Sequence, residues 1–309
     1  MSNFYRRIMV ALDNTVMDER ILKYASFLAE TIRPEVVYFI HAIDFDEFPK
    51  KFREEFPELQ KPADEVLKQQ LKDKASKFFK TPENVDVKFE VREGKPLEVI
   101  DKWSEAKNVD LLVVGHKQEK GGSGITSQHL TRKIKCCVLF VPDNEMLYQL
   151  KVIQIPSDFS EFSKLSVKKG IEIALKSKDK CSIAIQHIYS VPDQYYKTGK
   201  SYEEFRQLME ENAKVDYKKF LQDIDTKGIE ITSSFRDEKG HHEVQIIYNL
   251  AKYLQADLII IGAKGKSGTA SFLLGNITES LMKKYIEMPL LVVKDKSRKF
   301  GLMDLLKSI

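Results

Sequence analysis

Short apolar runs recur along the chain, each followed by a longer stretch in which apolar residues return every three or four positions. Runs such as 8–12 and 152–155 lack inward–outward alternation, as expected of strands covered on both faces. Ile21, Ala25, Leu28 and Ala29 then stand at i, i+4, i+7 and i+8, the apolar stripe of a helix, and Val167, Ile171, Ala174 and Leu175 repeat it. Beyond a second strand and an insertion, Leu67, Leu71, Ala75 and Phe78 predict another helix, matched by Met209, Ala213, Tyr217 and Phe220. A third strand at 85–91 or 229–235 leads to a helix, opened in the first case by Pro96. The fourth strand ends at Gly115 or Gly262; a glycine-rich loop, a helix and a fifth strand (138–141 or 290–293) follow.

The chain is thus written twice. "NVDLLVVGHK" (108–117) lies on "QADLIIIGAK" (255–264), Asp110 falling on Asp257 and Gly115 on Gly262. Asp13 falls on Asp158, and His41 on His187, at nearly the same offset. The expected domains are 1–146 and 147–309. Strict alternation of apolar strands and helices means parallel sheets with right-handed crossovers, so the fold class is α/β, two doubly wound domains in tandem.

Composition narrows the possibilities. With 309 residues, 42% apolar and 31% charged, the chain can bury a core in each half. Its net charge of +4 is too small to argue for nucleic acid or a membrane surface. No apolar stretch approaches the ~20 residues of a membrane span. The start "MSNFYRRIMVALD" lacks a signal-peptide core, and three cysteines make no disulfide framework, so a cytoplasmic location is expected. Cys136 and Cys137 read as small hydrophobes in a strand.

The chemistry concentrates in "ADLIIIGAKGKSGTASFLLGNITESL" (256–281). A P-loop would need glycine at Ile260, and the spacing of Gly262, Gly265 and Gly268 fails the dinucleotide fingerprint. What remains is Gly262-x2-Gly265-x9-Gly275, then Asn276 and a helix from about Ile277. Gly262 ends a strand at the edge where open α/β sheets bind ligands, and Gly265 permits an anion nest. Gly275, Asn276 and Ile277 open a helix whose free N–H groups favour an anion, with Asn276 as the expected N-cap. Lys264 and Lys266 add positive charge. A glycine loop serving only a tight strand-to-helix turn is the alternative reading.

This G-x2-G-x9-G, followed by a small polar residue, resembles the nucleotide motif of the universal stress protein family in its ATP-binding branch. "IPSDFSEFS" (155–163) resembles that family's first strand and turn, and the tandem duplication resembles its two-domain members. Asn276 stands where Ser or Thr is commoner. The resemblance implies five-stranded sheets of order 3-2-1-4-5, flavodoxin-like or adenine-nucleotide alpha hydrolase-like. It implies Asp158 at the ribose hydroxyls, with Pro156 also at the nucleotide, the backbone at Ile188 at the adenine edge, and Gly262, Gly265, Gly275, Asn276, Ile277 and Thr278 around the phosphates, where Lys264 and Lys266 add their charge. It also implies ATP, with or without Mg2+, as the ligand and a pseudo-dimer of the two domains packed through their fifth strands. Pairing of two chains and the protein partner stay open. No catalytic residue or metal site is expected, and at most slow hydrolysis. A stress-response sensor or scaffold is the leading function; a nucleotide-free interaction module and a slow ATPase or phosphotransfer enzyme are the alternatives.

The first copy departs from the pattern. Gln118 replaces the second glycine, Ser123 the third, and the intervening loop is five residues shorter. We therefore expect no triphosphate there, although Asp13 persists and Gly121, Gly122 and Gly124 offer a nest for a smaller anion or a nucleoside. His41 and His187 are expected to make local hydrogen bonds, and His241-His242 to lie in a solvated turn. The charged insertion around 44–66 is expected to be exposed and lid-like, and the tail with Leu302, Leu305, Leu306 and Ile309 to pack on its own body.

Overall fold

The computed structural model of the protein describes residues 5–44, 65–116, 127–265, 274–284 and 287–296. The chain divides into two compact units, Met1–Tyr148 and Gln149–Ile309. In the first unit, strands β1 (Arg7–Leu12), β2 (Val36–Ile43), β3 (Asp86–Glu93), β4 (Leu111–His116) and β5 (Cys137–Pro142) alternate with helices. These are α1 (Met17–Ile32), α2 (Glu65–Phe78), α3 (Pro96–Ala106) and α4 (Ser127–Lys133). The second unit repeats the order with β6 (Val152–Pro156), α5 (Glu161–Lys176), β7 (Ser182–Tyr189), α6 (Tyr202–Gln222) and β8 (Glu230–Asp237). It continues through α7 (Glu243–Leu254), β9 (Leu258–Gly262), α8 (Asn276–Lys284) and β10 (Leu290–Val293).

Each unit is a parallel sheet, ordered β3-β2-β1-β4-β5 in the first and β8-β7-β6-β9-β10 in the second. The sheets are parallel, as the alternation predicted, and the order is 3-2-1-4-5 in both, as the family resemblance implied. Buried Met9, Val10 and Phe39 centre one sheet, and Ile153, Ile155, Ile183 and Ile260 the other.

The helical stripes are buried as the periodicity predicts, with exceptions: Leu67 in α2 and Met209 and Tyr217 in α6 are only half-buried. Leu175 is 37% exposed, since it sits at the margin of a stripe centred on Val167, Ile171 and Ala174 in the last turn of α5. Phe78 is only half-buried; its neighbour Phe79, just past the end of α2, fills the core and meets the Phe39 ring edge-on at 4.9 Å.

Asp110 and Asp257, which betrayed the duplication, prove to be structural. Asp110 Oδ2 accepts the N–H groups of Arg6 and Arg7 at 3.0 and 2.9 Å. Asp257 Oδ2 accepts those of Lys151 and Val152 at 2.7 and 2.9 Å. Each ties the start of its unit's first strand to the start of the fourth. His41 and His187 are equally local, their Nδ1–H groups donating to the carbonyls of Leu12 and Ser157 at 2.9 and 2.8 Å. The insertion from 45 to 64, the tail beyond Lys296 and the first copy's loop, with Gln118, Gly121, Gly122, Ser123 and Gly124, lie outside the described residues.

Candidate functional site

In the second unit β6 and β9 pair only at Ile153–Leu258 and Gln154–Ile259, then diverge. The equivalent strands of the first unit pair once more, at Val10–Val113. Pro156 closes β6 at this divergence, where a residue without an N–H removes no ladder bond toward β9. The gap lies at the carboxyl edge, where strand order reverses, the usual place for a ligand in an open α/β sheet.

The turn after β6 is fixed by short side chains. Asp158 Oδ1 accepts from Ser163 Oγ at 2.7 Å and from the Ser160 N–H at 3.1 Å. Ser160 in turn caps α5 by accepting the Ser163 N–H. Oδ2 of Asp158 lies against the glycine loop: a Cβ added to Gly265 would stand 2.5 Å from it. Only glycine lets the loop approach that carboxylate so closely. Phe159 follows with φ of 61°, a left-handed conformation that costs a non-glycine residue about 1–2 kcal/mol. Its ring stacks on His187 at 4.2 Å and meets Phe220 at 5.2 Å, which offsets the strain.

The two ends of the glycine loop meet. The Gly275 N–H donates to the Ala263 carbonyl at 2.8 Å, and a Cβ on Gly275 would lie 3.7 Å from the Gly265 nitrogen. Gly262, last in β9, packs against α5, where a Cβ would come within 2.9 Å of Phe162 Cβ. Helix α8 begins at Asn276, and its Glu279 N–H donates to the Gly275 carbonyl at 2.9 Å. The cap position therefore belongs to Gly275 and not, as the sequence suggested, to Asn276. Because the Gly275 N–H is turned back to Ala263, its own carbonyl starts the helical ladder. Asn276, Ile277 and Thr278 form the first turn, whose N–H groups have no intrahelical acceptor. The buried Thr278 hydroxyl donates to the Gly262 carbonyl at 2.9 Å, pinning the helix to the strand end. Lys264 is half-buried beside Gly265. Lys266 lies outside the described residues.

Ile188 reaches the same edge through its backbone. Gln186 turns its carbonyl toward β6, accepting the Ser157 N–H at 2.8 Å, and Tyr189 turns its own away from β6, accepting from Glu238. Alternation along a strand then directs the Ile188 N–H and C=O to the β6 side, beyond the point where β6 has ended. Sequence reasoning missed Ser160, Ser163 and Phe159. The spacing of small polar residues at 158, 160 and 163 was the available signal, an N-cap pattern that also serves the aspartate.

The first unit builds its turn differently. Asp13 Oδ1 accepts the Thr15 hydroxyl at 2.6 Å and the Thr15 N–H at 3.2 Å. Lys74 of α2 reaches in: its Nζ donates to Asn14 Oδ1 at 3.0 Å and to the carboxylate of Asp18, a residue only 1% exposed. Burial pushes the Asp18 carboxyl above its ordinary range, and the Lys74 ammonium only partly opposes this. Among the described residues, no group of three or more His, Cys, Asp or Glu could hold a metal ion, and no helix is long and apolar enough to cross a membrane.

The chain is similar to known proteins along most of its length. The model of the universal stress protein family matches residues 4–142 and again 150–294. Universal stress protein MJ0531 of Methanocaldococcus jannaschii is 31% identical over 154 residues, half of this chain and 86% of that protein. Universal stress protein MJ0577 of the same organism is 29% identical over 165 residues, 49% of this chain and 99% of that protein. A solved universal stress protein from Archaeoglobus fulgidus shares the fold across 96% of this chain and all of its own, with a TM-score of 0.64 at 16% identity.

Proposed function

The chain belongs to the universal stress protein family, and on that premise we propose that its second unit binds ATP in the gap between β6 and β9. One observation carries the reading: Gly265 lies against the Asp158 carboxylate while Gly275 closes the same loop at the mouth of α8. A carboxylate acceptor and a helix N-terminus, whose first N–H groups have no intrahelical acceptor, thereby stand at one strand edge, and this supports a ribose at the one and phosphates at the other. Asp158 and Pro156 take the ribose end and the Ile188 backbone the adenine edge. Gly262, Gly265, Gly275, Asn276, Ile277 and Thr278 surround the phosphates, the last three through their N–H groups. Lys264 and Lys266 offset phosphate charge, with Mg2+ able to share that role. The first unit holds no triphosphate. Its loop is five residues shorter, and its strand-end turn is closed by Lys74.

Nucleotide held in this way suits a sensor or scaffold of the stress response, in which occupancy alters what the protein contacts. Denaturing the purified chain is expected to release adenine nucleotide at no more than one per chain. Calorimetry with Mg·ATP is expected to give one site. Gly265→Asp, which drives a second carboxylate against Asp158, is expected to lower the affinity at least about 100-fold. No released nucleotide together with no heat of binding would reject the proposal in favour of a nucleotide-free interaction module.

A further inference from the structure

Ser163 and Asp18 occupy the same place in the two units, each five residues beyond the aspartate that ends the first strand. Each accepts that aspartate's own N–H, Ser163 Oγ at 3.3 Å and Asp18 Oδ1 at 3.1 Å. Each is buried, at 5% and 1% exposure. What they return differs. The Ser163 hydroxyl donates to Asp158 Oδ1 at 2.7 Å, so one oxygen of Asp158 is held while Oδ2 is aimed along Gly265. An ionised carboxylate has no proton to donate. Asp18 therefore leaves Asp13 to take its bonds from Thr15, places a second negative charge beside it, and directs its other oxygen to Lys74.

We infer that residue 163 is the positioning residue that decides whether the strand-end aspartate can grip a ribose, and that Asp18 at the equivalent place disables the first unit. This rests on the nucleotide reading of the second unit. A ribose diol donates two hydrogen bonds to a carboxylate only if that carboxylate is ionised and correctly turned. Ser163 secures both conditions at Asp158 by donating to one oxygen. An aspartate there would repel the charge and supply no donor. In the first unit the lysine that compensates Asp18 also bonds Asn14 and the Thr15 carbonyl, so the turn is closed from within.

The test is equilibrium dialysis of the full-length chain with ATP and with 2′,3′-dideoxy-ATP, comparing the ratio of the two affinities. The unaltered chain is expected to prefer ATP at least about tenfold, as a site built to bond hydroxyls rejects the analogue without them. Ser163→Asp is expected to bring the ratio to about one. Ser163→Asn has nearly the same volume and an amide that can donate, and is expected to keep the ratio within about threefold of the unaltered chain. Should Ser163→Asp fail to fold, Ser163→Ala, which also lacks the donor, is expected to lower the ratio to about threefold. A merely structural role would weaken both nucleotides equally and leave the ratio intact. That result in Ser163→Asp or Ser163→Ala overturns the inference and spares the nucleotide reading. An unaltered chain that binds neither nucleotide overturns both.

Discussion

After β1 and after β6 the same fold makes the same turn with opposite consequences. The first turn is closed by charge from inside the unit: Lys74 crosses from α2 to bond Asp18 and Asn14, and Asp13 is occupied by Thr15. The second is held by uncharged groups of its own helix start, the Ser160 N–H and the Ser163 hydroxyl, and carries its aspartate up to a glycine loop. Asn14 and Phe159 share a φ of 61°, so both turns take the same left-handed step after the aspartate. Features that hold the sheet survive in both halves, namely the Asp110 and Asp257 clamps, the His41 and His187 bonds and the packing glycines Gly115 and Gly262. Divergence is concentrated at the strand-end turn and the loop opposite it. Duplication therefore leaves the fold redundant at its foundations and free at its carboxyl edge.

The largest effect should come from the internal ion pair. Lys74→Met leaves the buried Asp18 without its counter-ion and is expected to destabilise the first unit by about 3 kcal/mol. Urea unfolding followed by Trp103, the chain's single tryptophan, reads this unit directly. Asp18→Ser in the same chain should restore most of the loss; no recovery would mean that the pair does not hold the turn.

The glycines shared by the two units sharpen the comparison next. Gly262→Ala is expected to cost about 2 kcal/mol, because its Cβ would meet the Phe162 Cβ at 2.9 Å and backbone atoms at 3.2 Å. Gly115→Ala should cost about 1 kcal/mol, since its obstacles are the flexible Met17 and Ile21 side chains at 2.7 and 2.9 Å. Hydrogen exchange resolved to the β4 and β9 amides measures each; a reversed order would show that the strand end is governed by something other than this contact.

A pH difference follows from His116, which stands where the second unit has Ala263. Burial lowers its pKa to about 4, against an ordinary value near 6.5. Between these values the unfolded chain binds the extra proton, so the first unit loses stability as pH falls from about 6.5 to 4. After allowance for partial exposure the loss is about 2 kcal/mol, and His116→Ala should remove it from the urea midpoints. Asp18 contributes with the opposite sign, because its raised pKa makes stability fall as pH rises from the ordinary carboxylate value to the folded one.

The smallest effect is expected at Thr278→Val, which removes the donor to the Gly262 carbonyl and should cost the second unit about 1 kcal/mol. On the nucleotide reading, ATP affinity should fall only a few-fold, because the N–H groups of α8 remain. A loss above about 100-fold in calorimetry would instead place the hydroxyl itself on the ligand.

Much of the fold was legible along the chain because each of its rules is local. Apolar runs without alternation mark strands covered on both faces, and the recurring stripes of α1 and α5 mark which helical face is buried. The glycine spacing after β9 was legible for the same reason, since a loop that must approach a carboxylate and then open a helix excludes side chains at fixed intervals. Asn276 was misread as the cap because that position depends on where the preceding N–H goes, and the Gly275 N–H goes to Ala263, 12 residues back. Leu175 was misread because a stripe's margin is buried only where a neighbour covers it.

The sequence by itself determined two copies of one α/β unit, parallel sheets with right-handed crossovers, and a glycine loop intact only in the second. Tertiary structure alone decided what faces each strand-end aspartate. Lys74 lies 56 residues from Asp18, and Gly265 lies 107 residues from Asp158. A carboxylate's usefulness depends on the charges and donors within a few ångströms, and chain order does not record that distance.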